Sequence, residues 1–174
     1  MSTPKAPLKH IAKVLAEIEV VRADAARRQL NFTAVDEDAL VRKFARVNSP
    51  MLIFQAWTGS ISPGGTISYT FGVHNPDSTA ATWLYGYAFV GPANFVTSVG
   101  EAVGARDRRF ANPSAPSFPG QQVAPLATAN LKVSMPVPVS IEKTTYQGNT
   151  VLFQADWHDV GQYLDRGFWT FDVV

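Results

Sequence analysis

A mainly β chain, an antiparallel sandwich carrying an N-terminal helical arm, is predicted by three features of the 174-residue sequence. Gly64 to Pro76 alternates by twos, placing Ile67, Tyr69, Phe71 and Val73 on one side of an extended strand and Thr66, Ser68, Thr70 and His74 on the other. The apolar period is helical before Pro50 and strand-like after it. Charge shifts at the same place. The first forty-nine residues hold nine Lys and Arg against six Asp and Glu, a net +3, leaving −2 for the rest of a chain whose formal charge is +1. These shifts divide the sequence into a helical arm, 1–49, and a β-sandwich, 50–174.

The absence of cysteine excludes a disulfide framework, a thiolate metal site and a cysteine nucleophile. A net charge of +1 supplies no field for nucleic acid or an anionic membrane. Charged residues make up only 17% of the chain, so its surface is lightly charged or partly covered. The first apolar residues are interrupted by Lys13, Glu17 and Glu19, unlike an export signal, and no stretch reads as a spanning helix. A cytoplasmic location is the default expectation.

In the arm, Leu8, Ile11, Val14, Leu15, Ile18, Val21 and Ala25 recur at helical spacing, and Asn31-Phe32-Thr33 should interrupt the helix. Asp36 then caps a second helix, with Val35 and Leu40 placed as a hydrophobic staple and Leu40, Val41, Phe44 and Val47 as its apolar face. Asn48 and Pro50 stop it. Strands follow over Met51 to Trp57, Thr66 to His74, Trp83 to Val90, Leu131 to Met135, Thr150 to Trp157 and Phe168 to Val174. Pro136 and Pro138 suit a sheet edge. The third strand, WLYGYAFV, is apolar on both faces, which calls for cover by the opposite sheet and by either the N-terminal helices or another subunit. The Pro-rich stretch from Gly91 to Asn130 is an interface or binding loop by its length, with a short strand at Phe95 to Val99 or Val123 to Ala129.

A Gly-led strand ending in Val73-His74-Asn75-Pro76, a Gly148-Asn149 turn into a strand bearing Trp157, and a closing strand with Asp172 resemble immunoglobulin-like bacterial sandwich modules of the cell-adhesion-related type. The resemblance spans Trp57 to Val174. It implies an immunoglobulin-like fold with a binding or structural role. In architecture alone the chain is also similar to sea-anemone pore-forming toxins, but their aromatic lipid-headgroup motif is missing and acidic residues in the helical face disfavour insertion.

Asp156, His158 and Asp159 could contribute to a divalent metal site, with His74 as a further ligand, although a strand end entering a turn collects such residues anyway. Arg106, Arg108 and Arg109 suit an acidic patch on a neighbouring subunit better than nucleic acid, because no aromatic residues interleave them. Trp157, Tyr163 and Trp169 form the candidate sugar platform, with Tyr163 in its turn the best exposed. No nucleophile elbow or phosphate-cradling loop occurs, so neither enzyme activity nor a cofactor is expected.

The reading that unites these features is a self-associating structural subunit. Leu8, Ile11, Leu15, Ile18, Trp83, Tyr85, Tyr87 and the three arginines would make the contacts between copies. A glycan-binding module is the alternative and a membrane-active protein a third, weaker one. A homo-oligomer is the expected partner, and nucleic acid is not.

Overall fold

The computed structural model describes residues 8–46, 49–92, 118–154 and 162–174. Helix α1 (Leu8–Arg27) leads through strand β1 (Asn31–Ala34) and helix α2 (Glu37–Arg46) to β2 (Met51–Trp57). Strands β3 (Ser60–Ile61), β4 (Thr66–His74), β5 (Thr82–Pro92), β6 (Phe118–Val123), β7 (Thr128–Pro136), β8 (Thr145–Gln154) and β9 (Gln162–Val173) follow. Sheet A has the order β1-β2-β4-β7 and sheet B the order β3-β9-β8-β5-β6. Among the described residues all pairings are antiparallel except the short parallel pair β3 with β9. The fold is the predicted immunoglobulin-like sandwich with helices at its N-terminus.

β4 is central to sheet A, pairing with β2 on one side and β7 on the other. Its alternation works as predicted: Ile67, Tyr69, Phe71 and Val73 are all fully buried in the core between the sheets. The Tyr69 ring stacks on Trp169 of β9 with centroids 4.8 Å apart, joining the two sheets face to face. Gly148 of β8 makes room for that indole, since any Cβ there would overlap the Trp169 ring. Trp57 crosses the same gap and donates its indole N–H to the Thr170 carbonyl at 2.8 Å. On the free edge, Pro136 closes β7 opposite Thr66, where its missing N–H breaks no ladder bond.

The Val73-His74-Asn75 ending of β4 has a local cause. Asn75 is buried, and its side-chain amide donates to the carbonyls of Ala80 (2.9 Å), Val123 (3.2 Å) and Ala124 (3.3 Å). Its Oδ1 accepts from the Asp77 amide at 3.1 Å. One side chain thus fastens the loop after β4 to the β6–β7 connection.

The arm packs on its own sandwich. β1 pairs along β2 with Asn31 opposite Trp57 and Ala34 opposite Phe54, so the expected helix interruption at Asn31-Phe32-Thr33 is itself a strand of sheet A. A β-bulge between Leu52 and Phe54 redistributes the residues of β2. Leu52 and Trp57 enter the inter-sheet core, while Met51, Ile53 and Phe54 join a second cluster with Ile11, Val14, Ile18 and Leu40 on the outer face of sheet A. Gly72 admits Phe54, whose ring occupies the space a Cβ would take, and Phe54 in turn stacks on Phe32.

Several expectations are corrected here. The helices cover β2 in sheet A, not the doubly apolar β5, which lies in sheet B. Gly148-Asn149 lies inside β8 and is no turn, because that strand already begins at Thr145. β9 starts at Gln162, ahead of Phe168. Of the two places expected for a short strand in the Pro-rich stretch, Val123 to Ala129 is mostly the connection between β6, which ends at Val123, and β7, which begins at Thr128, and Phe95 to Val99 lies outside the described residues. Val41, assigned to the apolar face of α2, is exposed. The cap does form: the Ala39 amide donates to Asp36 Oδ1 at 2.7 Å.

Helix α1 ends in a Schellman arrangement, with Leu30 N–H donating to Ala25 O at 2.9 Å and Gln29 N–H to Ala26 O at 3.2 Å. The left-handed position falls on Gln29, at φ 56°, where glycine is the usual occupant. Gln29→Gly is expected to stabilise the chain by about 0.5–1 kcal/mol, raising Tm by about 1–4 °C. Thermal melts followed by circular dichroism check this, and an unchanged or lower Tm contradicts it. A chain beginning at Met51 loses every residue that covers Met51, Ile53 and Phe54 from outside. It is expected to aggregate or bind a hydrophobic dye on refolding, whereas a soluble, dye-negative monomer would make the arm dispensable to the fold.

Candidate functional sites

Three polar places stand out against this apolar frame. The first is the seam beneath α1. Position 74 is on the outward side of β4, and α1 lies over that side, so His74 is 1% exposed although it does not face the inter-sheet core. Its Nε2 is 2.9 Å from His10 Nε2 on α1, and its Nδ1 is 2.9 Å from Thr128 Oγ1 on β7. Thr128 donates its hydroxyl hydrogen to Glu17 Oε2, about two turns further along α1 on the same face, at 2.7 Å.

The directions in this chain are determined by chemistry. A carboxylate only accepts, so Thr128 spends its single hydrogen on Glu17 and must accept from His74 Nδ1–H. The other nitrogen of a neutral His74 is then a lone pair, and it accepts from His10 Nε2–H. Phe44 of α2 closes the seam with ring centroids 5.5 Å from each imidazole. Burial, followed by the charges of His10 and Lys13, pulls the His74 pKa down to about 4. Burial and then Lys13 lower that of His10, against an opposing pull from Glu17.

The second place joins α2, β2 and β9. Asp165 accepts from Lys43 Nζ at 3.2 Å, from the Leu52 amide at 2.9 Å and from the Arg166 amide at 2.9 Å. A shallow groove of about 190 Å³ opens beside it, lined by Thr33, Val35, Gln55 and Arg166 among others. The Leu52 amide stands beside the bulge at Ile53, and its bond to the Asp165 carboxylate makes Asp165 a clip between the sheets.

The third is the outer face of sheet B. Tyr146, Leu152 and Trp169 belong to the core, so the pleat assigns Asn149, Val151, Arg166 and Phe168 to the opposite face. There the Arg166 guanidinium sits 4.7 Å from the Phe168 ring centroid. Asn149 stands opposite Phe168 in register and is 1% exposed, yet neither Nδ2 nor Oδ1 has a hydrogen-bond partner. Trp83, nearer the β6 edge, is 52% exposed.

The residues singled out in sequence fall in different places. Ile11 and Ile18 are buried on sheet A within the chain, with Leu15 packed against them, so they are not open to a partner as docked. Trp169 is 2% exposed and stacked on Tyr69, which corrects its assignment to a sugar platform. Leu8 lies at the start of α1, Tyr85 and Tyr87 opposite Phe153 and Val151 in register, and Tyr163 opposite Phe153 on the other side. Arg106, Arg108, Arg109, Asp156, Trp157, His158 and Asp159 lie outside the described residues. His74, the further metal ligand, is instead tied to His10 and Thr128, and no group of three possible ligands occurs among the described residues.

Two signals escaped the sequence reading. His10 interrupts the apolar stripe of α1, and a histidine there gains meaning only when a second one faces it. Asn149 falls at the outward phase of a strand whose inward phase is Tyr146, Gly148, Thr150 and Leu152.

No family model and no curated protein matches the chain. Among solved structures it is similar to the C-terminal domain of wzt, at 11% identity and a TM-score of 0.50, over 83% of this chain and 78% of that one. It is also similar to the sporulation control protein Spo0M of Bacillus subtilis, with 9% identity, TM-score 0.46 and coverage of 73% and 50%. The CARDB domain of the PF1109 protein from Pyrococcus furiosus is another, with 11% identity, TM-score 0.38 and coverage of 72% and 86%. At these identities the likeness is one of fold alone. No helix among the described residues is long and apolar enough to cross a membrane.

The contacts of Asp165 rank two substitutions. Asp165→Ala leaves the Leu52 amide without its acceptor and should cost about 1–3 kcal/mol. Lys43→Ala removes only a partly exposed ion pair and should cost less than about 1 kcal/mol. Urea denaturation of both variants checks the order, and equal losses would make the ion pair, not the backbone bond, the dominant tie.

Proposed function

We propose that this chain is a non-enzymatic β-sandwich module that binds a carbohydrate-type ligand on the outer face of sheet B. The observation that carries the reading is Trp83, an indole 52% exposed on the side of β5 away from Leu84 and the core. Its flat ring, open to water, is an apolar surface on which sugar C–H faces rest. Asn149 is 1% exposed, so its unpartnered amide is out of a ligand's reach and carries none of the binding.

The test separates function from stability. Titration with a panel of neutral and acidic oligosaccharides, followed by calorimetry and tryptophan fluorescence, should find a binder, and Trp83→Ala should weaken it at least about tenfold while leaving Tm nearly unchanged. A panel without binders, or a Trp83→Ala variant that binds as the parent does, contradicts the reading.

Self-association, the leading reading of the sequence, becomes the second here, favoured by the exposed apolar side chains of Trp83 on β5 and Val20 on α1. It draws no support from Ile11 and Ile18, whose surface is already taken by sheet A. Light scattering after size exclusion decides it: a concentration-independent oligomer that Trp83→Ala dissociates favours assembly, and a monomer at high micromolar concentration removes it.

A further inference from the structure

We propose that the His10–His74 contact is a proton-sensitive latch, which holds α1 on sheet A when both imidazoles are neutral and loosens it in mild acid. The geometry leaves room for one hydrogen between the two Nε2 atoms, which are 2.9 Å apart. Because His74 Nδ1–H is committed to Thr128, a proton added to His74 must go to Nε2, directly against His10 Nε2–H. Two N–H groups then point at each other across a hydrogen-bond distance, and the contact turns from attraction to repulsion.

The surroundings give the added charge little relief. On α1 the charged neighbours are Lys13, which opposes it, and Glu17, which favours it but is already occupied by Thr128. From α2 the seam receives the uncharged Phe44, from β7 the uncharged Thr128, and opposite His74 on β2 stands Met51. The seam is therefore built for neutral rings. The alternative to protonation in place is for α1 to lift, giving His74 back to water.

The sign follows from the lowered pKa. With α1 docked His74 titrates at about 4, and with α1 lifted it approaches the ordinary 6.5, so the lifted state binds the proton more readily. The latch is at full strength above pH 6.5 and weakens as pH falls towards 4. At pH 4.5 the opening of α1 should be favoured by about 100-fold over its value at pH 7.5. What opens is the outer face of sheet A, namely Met51, Ile53 and Phe54.

Amide hydrogen exchange of the full chain at pH 7.5 and 4.5, corrected for intrinsic rates, reads this opening directly. The expected result is about a 100-fold loss of protection in α1 while β4 and β7 keep theirs. In the variant carrying His10→Gln and His74→Gln together, the amides can still pair but do not titrate, and the acid loss should vanish although Glu17 and Lys13 remain. Equal protection of α1 at both pH values, loss spread over all three elements, or an undiminished loss in the variant would each overturn the latch. Should the double variant fail to fold, the wild-type His74 ring resonances decide: their titration must share its midpoint with the exchange of α1, and separate midpoints reject the proposal.

Discussion

β2 has to be buried on both of its faces, and most of the architecture follows from that requirement. A strand reading Met-Leu-Ile-Phe-Gln-Ala-Trp has too little polar surface to face water on either side. The inter-sheet core takes Leu52 and Trp57, and α1, β1 and α2 enclose the rest. The bulge at Ile53 is what lets Ile53 and Phe54 both turn outward, and the missing side chain at Gly72 is what lets the Phe54 ring lie down. Without the helices, this face would be a contiguous apolar patch of the kind that recruits partners.

Onto this apolar arrangement the chain adds a few polar ties, each linking elements far apart in sequence. Asp165 fixes the amide of Leu52 to the other sheet, Trp57 reaches the Thr170 carbonyl, and Asn75 binds the loop after β4 to the residues around Val123. Burial alone is tolerant of small slips. Bonds with directional donors and acceptors are not, and they select one register among the several that would bury similar area. The His10–His74–Thr128–Glu17 chain does the same for α1, fixing how the helix lies along sheet A. Among the described residues, the Asn149 amide and the Thr82 hydroxyl break the pattern, being buried without any such tie.

The parts of this fold that repeat a local period could be read directly. β4 begins and ends where its alternation does, β2 fills the apolar run from Met51 to Trp57, and Asp36 caps α2 as its spacing indicates. What escaped was decided at a distance. Asn31-Phe32-Thr33 becomes a strand only because β2 offers it an edge, and the two residues of β3 exist only by pairing with Asp172 and Val173. For the candidate sites the gap is wider. Trp169 reads as an aromatic in a strand whichever face it takes, and its stack on Tyr69 settles that it is core. His10 and His74 are sixty-four positions apart, so no local pattern could pair them. Asn149 next to Gly148 imitates turn chemistry, while the strand continues through both.

The ties of the N-terminal segment have a consequence for the order in which the chain can assemble. α1 meets β4 through His10, and meets β7 through Glu17 at a separation of 111 residues, while Lys43 of α2 reaches Asp165 across 122. Helices form locally and early, but these partners must first be brought together against the entropy of long loops. The apolar stripe of α1 meets its cover in Leu40, Met51, Ile53 and Phe54, soon after it in the chain, whereas its polar ties wait for β4 and β7. The pairs of Glu19 with Arg22 and of Asp24 with Arg27 and Arg28 lie within the helix and support it locally, before those distant partners arrive. α1 can thus form and cover its apolar stripe early, while the bonds that fix its direction along sheet A close late.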